Sequence, residues 1–264
     1  MSTPSVLQSI VQTKRDEVHQ RSRRVSIDQL NDTIATLPRP RNFHAALAER
    51  VRRRQPAVIA EFKRASPSAG WINQHADPVA TAQTYEQAGA ACLSVLTDAQ
   101  YFRGSDEDLI HARTACSLPV IRKDFMIDPY QVIESRALGA DAVLLIAAAL
   151  DDDQLHALSA LAHSLALSVL VEVHDAAELA RALAVPGNLL GINNRDLHRF
   201  ITRLDTSIEL APKVPDDRIV IAESGIHGTD DVLRLRQANI HAFLIGEALM
   251  RASDAGTALE QLLS

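Results

Sequence analysis

Two cysteines in 264 residues are too few for a disulfide framework. Cys92 and Cys116 each lie in an apolar stretch, so buried free thiols in a reducing cytoplasm are the expectation. Aromatic residues make up only 4% of the chain, which leaves no stacking platform for nucleic-acid bases. Basic residues are outnumbered, with Lys+Arg 27 against Asp+Glu 33 and a net charge of -6. That balance excludes nucleic acid and a membrane surface as partners. The longest apolar run, Ala142 to Leu150, is far short of a bilayer span. The opening Met1-Ser-Thr-Pro-Ser lacks the basic-then-apolar pattern of a signal peptide. There is no G-x-G-x-x-G turn, H-x-x-x-H or C-x-x-C, so neither a dinucleotide fold nor a metal site is indicated. What remains, 47% hydrophobic and 23% charged, is the mix of a globular protein and not of a coiled coil or a disordered tail. The length suits one large α/β domain or two small ones.

Internal repetition decides between these. Gln87-Ala-Gly-Ala-Ala-Cys-Leu-Ser-Val-Leu, Ala137-Leu-Gly-Ala-Asp-Ala-Val-Leu-Leu-Ile and Gln237-Ala-Asn-Ile-His-Ala-Phe-Leu-Ile-Gly share one plan. A helical pattern ends at Gly89, Gly139 or Asn239, residues that accept the left-handed cap, and an apolar strand follows. Strands are expected at 58–63, 92–97, 119–124, 142–147, 168–173, 189–193, 218–223 and 242–246. Between them, Asp77-Pro78 and Asp128-Pro129 place an N-cap before a first-turn proline. Ser105 with Asp108, Asp175 with Glu178 and Thr206 with Glu209 have capping-box spacing. Eight strands alternating with helices over 55–264 predict an α/β fold, a (β/α)8 TIM barrel. Residues 1–54 fall outside the repeat and predict an N-terminal helical extension, within a single domain overall. The extension is either a cap forming part of the barrel mouth or a pad over the barrel bottom.

Active sites of such barrels lie where the strands end. Glu61 and Lys63 share one face of the first strand, Lys123 ends the third, Glu172 lies late in the fifth, Asn193 ends the sixth and Glu223 ends the seventh. One such charge alone reads as a rim residue or an ion pair. Five charges ending four apolar strands are hard to reconcile with packing, because Glu and Lys are poor strand formers and are rarely buried unpaired. Three carboxylates facing two ammonium groups shift one another's proton affinity, which suits acid and base roles in one pocket. His174 reads as a helix-entry residue before Asp175.

After strands seven and eight come Ser224-Gly225-Ile226 and Gly246-Glu247-Ala248. Glycines in these two loops let backbone N–H groups approach a phosphate. The loop Arg64-Ala-Ser-Pro-Ser-Ala-Gly70-Trp71 is long and rich in small residues, either a lid or a solvated link. Ser66 within it could donate to a substrate anion.

Glu61-Phe-Lys-Arg-Ala-Ser-Pro-Ser68 resembles the signature of the indole-3-glycerol phosphate synthase family. Arg122-Lys-Asp-Phe125, Val171-Glu-Val-His174, Gly191-Ile-Asn-Asn-Arg-Asp-Leu197, Ala222-Glu-Ser-Gly-Ile226 and Leu244-Ile-Gly-Glu247 match further motifs of that family, in order and over essentially the whole chain. The resemblance implies a lyase of tryptophan biosynthesis that closes the ring of carboxyphenylamino-deoxyribulose 5-phosphate with loss of carbon dioxide and water. It implies that Lys123 is the general acid and that Glu172 assists the dehydration. Lys63 would contact the substrate carboxylate or transfer protons, and the order in which the two lysines act is left open. Glu61 and Glu223 would hold the lysines and the sugar hydroxyls, and Asn193 would orient substrate or Glu172. Ser66, Ser224, Gly225, Gly246 and Glu247 would line the substrate and phosphate sites, with Phe125 against the aromatic ring. No cofactor or metal, a small phosphorylated substrate, a cytoplasmic location and no obligate protein partner complete the expectation. Glu247 stands where some members carry serine, so phosphate contact there would come from backbone N–H. Trp71-Ile-Asn-Gln-His-Ala76 departs from the family's acidic loop. Two other readings stand beside this one: a barrel using Lys63 or Lys123 as a Schiff base, and a silent barrel that binds a phosphosugar or docks a partner.

Overall fold

Among the described residues, three helices precede the first strand: α1 (Val6–Arg24), α2 (Ile27–Thr36) and α3 (Phe43–Arg52). The computed structural model describes residues 6–196 and 201–264. The segment read for a signal peptide, Met1 to Ser5, and Leu197 of the quoted motif lie outside the described residues.

The apolar segments then form β1 (Ala57–Phe62), β2 (Cys92–Leu96), β3 (Val120–Lys123), β4 (Ala142–Ile146), β5 (Ser168–Val173), β6 (Leu189–Asn193), β7 (Ile219–Glu223) and β8 (Ala242–Ile245). Each lies within one residue of the expected bounds at either end. Neighbours in the chain pair in parallel, and β8 closes on β1 with Ala57 opposite Ala242. The strands read as unbroken apolar runs because both faces are covered. Ile59, Ile121, Leu144, Leu170, Ile221 and Leu244 fill the interior, while Val58, Leu93, Val143 and Phe243 face the helical ring.

That ring comprises α4 (Pro78–Gln87), a short α5 (Ala99–Phe102), α6 (Asp106–Ala115), α7 (Pro129–Ala137), α8 (Asp152–Ser164), α9 (Ala176–Ala184), α10 (Asp205–Leu210), α11 (Thr229–Gln237), α12 (Glu247–Arg251) and α13 (Ala255–Leu263). Gly89, Gly139 and Asn239 all adopt positive φ at the ends of helices, as the repeat requires. Asp77 and Asp128 cap helices that open with proline. Ser105 and Asp175 also cap their helices, but neither box is reciprocal. Asp108 is taken by Arg64 at 2.5 and 2.8 Å, and Glu178 turns to His174. The expected box at Thr206 and Glu209 does not form. Helix α10 begins at Asp205 with no local side-chain cap, and Asn194 of the preceding loop accepts from the Ser207 N–H at 3.0 Å. A contact thirteen residues away replaces the local one.

The extension meets both ends of the barrel. Phe43 and Leu47 of α3, fully buried, plug the bottom of the barrel, whereas Val6, Leu7 and Ile10 of α1 line the cavity at the other end. Leu30 of α2 packs on Tyr130 and Ile133 of α7. After β1 the loop is an anchored hairpin, Ala65–Ser66 paired with Gly70–Trp71, and its Trp71 is exposed. Cys92 and Cys116 are free and buried. Among the described residues no helix is long and apolar enough to cross a membrane.

Candidate active site

Strand alternation brings the polar strand ends to one cavity. All twelve residues singled out from the sequence line it: Glu61, Lys63, Lys123, Glu172, Asn193 and Glu223 on its floor, and Ser66, Phe125, Ser224, Gly225, Gly246 and Glu247 from the loops. The register sets Glu61 beside Ser94 and Asn193 beside Glu223, so the floor is built from fixed backbone positions.

Lys123 is the centre of the arrangement. Its Nζ donates to Glu172 Oε2 and to Glu223 Oε2, both at 2.8 Å. Across the floor Lys63 Nζ lies 2.7 Å from Glu61 Oε1, and Ser94 Oγ donates to Glu61 Oε2 at 3.4 Å. Asn193 Nδ2 donates to Glu172 Oε1 at 3.1 Å. Burial opposes the charge of Lys123, but Glu172 and Glu223 more than offset it and raise its pKa above the ordinary lysine range. Burial likewise opposes the charge of Glu172, yet Lys123 and His174 hold it well below the ordinary carboxylate range. Glu223 goes the other way: burial, with Glu172 nearby, outweighs Lys123 and pushes it up to about 8. Two carboxylates on one ammonium are therefore driven apart, Glu172 toward the ionised form and Glu223 toward the protonated one.

Two glycines make this crowding possible. A Cβ on Gly191 would stand 2.0 Å from Glu223 Oε1, and one on Gly246 would stand 2.3 Å from Glu61 Oε1. Gly246, expected to open backbone to an anion, thus also clears space for a carboxylate. Ser224 and Gly225 both take positive φ, 66° and 76°, turning the chain sharply after β7, and Asn194 Nδ2 holds the turn by donating to Ser224 O at 3.1 Å. The Glu247 carboxylate points to Arg251 and Arg195, at 3.0 and 3.9 Å. Ser66 Oγ accepts from the Ala69 N–H at 3.2 Å and so braces its own hairpin. Phe125 faces Phe102 with ring centroids 6.1 Å apart.

Several contacts at and around the cavity had no local signal. Arg195 lines the cavity, its Nη1 donating to Ser68 Oγ at 3.1 Å, although only its place in a motif marked it. His174 is more than a helix-entry residue, because its ring lies between Glu172 and Glu178. Lys14 of α1 is buried against Asp98 and Asp124 at 2.8 and 2.9 Å, which ties the extension to the residue following Lys123.

A sequence profile of the family described as indole-3-glycerol phosphate synthase matches residues 7–262. Proteins of that name from two strains of Acidithiobacillus ferrooxidans are each 55% identical over 257 residues, covering 97% of this chain and 98% of theirs. Among solved structures, the tryptophan synthase alpha subunit of Legionella pneumophila superposes with a TM-score of 0.61 at 13% identity, over 84% of this chain and 96% of its own. A thiamine phosphate pyrophosphorylase from Pyrococcus furiosus does so at 0.60 and 18%, over 80% and 95%. At those identities the structural matches establish the barrel alone, whereas the sequence matches run nearly end to end. The chain belongs to the indole-3-glycerol phosphate synthase family.

Proposed function

We propose that the cavity takes 1-(2-carboxyphenylamino)-1-deoxyribulose 5-phosphate and closes it to indole-3-glycerol phosphate, a carboxy-lyase step of tryptophan biosynthesis. The observation that carries this is the Lys123 ammonium between Glu172 and Glu223 at the barrel mouth. Attack of a ring carbon on the ketone builds negative charge on oxygen, and a fixed ammonium both stabilises and protonates it. Held protonated by two carboxylates, Lys123 is an acid and not the free amine that Schiff-base chemistry needs. Departure of the carboxylate needs no cofactor, since the iminium formed in the ring accepts the electron pair.

The other residues divide the remaining work. Lys63, steadied by Glu61, takes the substrate carboxylate and is available for proton transfer. Glu172, ionised and oriented by Asn193, serves the dehydration. Protonated Glu223 donates to a sugar hydroxyl or ketone oxygen while accepting from Lys123. Phe125, backed by Phe102, packs on the anthranilate ring. Ser66 and the backbone of Ser224, Gly225, Gly246 and Glu247 receive the phosphate; the Glu247 side chain, turned to its arginines, takes no part. Residues 1–54 and 55–264 act as one domain, because α1 supplies a wall of the cavity. The cytoplasm suits two buried free thiols, and the reaction as written calls for no obligate protein partner.

Indole fluorescence tests the reading directly. Wild-type protein given the substrate gains the signal, and Glu172→Gln loses about 10²- to 10⁴-fold in rate. A silent wild type that binds a product analogue tightly would overturn the reading in favour of a binding protein.

A further inference from the structure

Proton bookkeeping of the ring closure points behind the site. One C–C bond forms between the anthranilate carbon bearing the carboxylate and the ketone carbon, and the ketone oxygen takes a proton. Carbon dioxide then leaves, and its bonding pair restores the aromatic ring. The new hydroxyl leaves as water with a second proton, and one hydrogen of the former sugar methylene leaves as a proton. Two protons enter and one is released, so every turnover takes one proton from outside. Yet Glu172 is only 3% exposed before any substrate covers it, and the Lys123 side chain only 13%.

Just past the end of β5, two residues beyond Glu172, lies His174, which is not among the cavity-lining residues. Its Nε2 is buried, has no hydrogen-bond partner among the described residues and stands 3.4 Å from Glu172 Oε1. Its Nδ1 is 2.9 Å from Glu178 Oε2, and the same oxygen accepts the His174 backbone N–H at 2.9 Å, which fixes the pair. Glu178 sits in the first turn of α9 with its side chain 17% exposed. Glu178, His174, Glu172 and Lys123 thus line up from solvent toward the general acid, at separations of 2.9, 3.4 and 2.8 Å, the middle one a contact without a formed hydrogen bond.

We propose that His174 and Glu178 are the entry path for the proton consumed in each turnover, with His174 passing it to Glu172. In this step the His174 Nε2–H bond breaks and a Glu172 Oε1–H bond forms. Water then returns a proton to the ring by way of Glu178, which restores the imidazolium. Burial opposes charge on the ring, but Glu172 and Glu178 raise its pKa to about 10, so a proton is in place at neutral pH. Those two carboxylates, one on β5 and one on α9, are the charged groups that set this ring's state.

The inference rests on the ring-closure reading, and one experiment separates the two. Product is followed by fluorescence in stopped flow, with enzyme at known concentration and substrate in excess, for wild type, His174→Gln and Glu178→Gln. Lys123 and Glu223 already hold protons, and Lys123, the stronger of the two influences that keep Glu172 ionised, is untouched, so the first turnover of His174→Gln runs within about threefold of wild type. Later turnovers slow tenfold or more, giving a burst of one product per site, and added imidazole accelerates the slow phase alone. Glu178→Gln shows the same burst with a smaller loss. A residue that merely positioned Glu172 would slow the first turnover as much as the rest, and that result overturns the inference. So does an unchanged steady state in both variants, or a slow phase indifferent to imidazole. If His174→Gln does not fold, Glu178→Gln decides by the same criteria. Absence of product from wild type would instead sink the ring-closure reading.

Discussion

Replacing Gly191 by alanine separates the chemistry of the cavity floor from the stability of the barrel. The new Cβ would stand 2.0 Å from Glu223 Oε1, 3.1 Å from its Cδ and 3.4 Å from Leu170 Cδ1. The backbone at Gly191 has no positive φ, so the substitution is not strained in itself. The closest clash is with the end of a side chain that can rotate away, which spares the fold. Rotation takes Glu223 off the Lys123 ammonium, now 2.8 Å distant, and that charge-assisted hydrogen bond is of a kind worth about 1.5–3 kcal/mol. If it is held through the transition state, kcat/KM falls about 10- to 150-fold. Fluorescence kinetics gives the rate and thermal unfolding the stability. Activity within twofold of wild type would refute the placement of Glu223 on Lys123. A collapse in Tm matching the loss of rate would refute the claim that the glycine serves the site rather than the fold.

Two further perturbations follow from buried charges. Lys14→Met leaves Asp98 buried without its cation and Asp124 with Arg122 alone, 3.7 Å away, a loss of about 3–5 kcal/mol, or about 6–20 °C in Tm. A Tm within 2 °C of wild type would contradict the anchoring of α1. The pKa of His174 is raised from 6.5 to about 10, so its stabilising contribution is complete below pH 6.5 and is lost as pH rises through about 10. Glu223, raised from 4.5 to about 8, acts with the same sign over the lower window. The Tm of wild type therefore declines between pH 7 and 10, and His174→Gln flattens that decline. An equally steep decline in the variant would show that the imidazolium does not stabilise the fold.

Most of the barrel was legible because its information is local. A strand buried on both faces is an apolar run, a helix start is a capping residue, and a left-handed helix end is glycine or asparagine. The floor of the site was legible by contradiction, since Glu61, Lys123, Glu172 and Glu223 interrupt strands that are otherwise apolar. What escaped was non-local. Asn194 capping α10, Lys14 reaching Asp124 and Glu178 turning from its own helix cap to His174 depend on segments that only the closed barrel brings together. Gly191 opens a family motif, but its role carried no signal for the same reason: the carboxylate it accommodates belongs to the neighbouring strand.

The central claim is that the ammonium between Glu172 and Glu223 is the acid that starts ring closure. Its most direct test is the rate of indole fluorescence from Lys123→Ala beside wild type, at saturating substrate and with folding checked by circular dichroism. The account predicts a folded protein that loses about 10²- to 10⁴-fold in kcat. A folded Lys123→Ala turning over within threefold of wild type would contradict it.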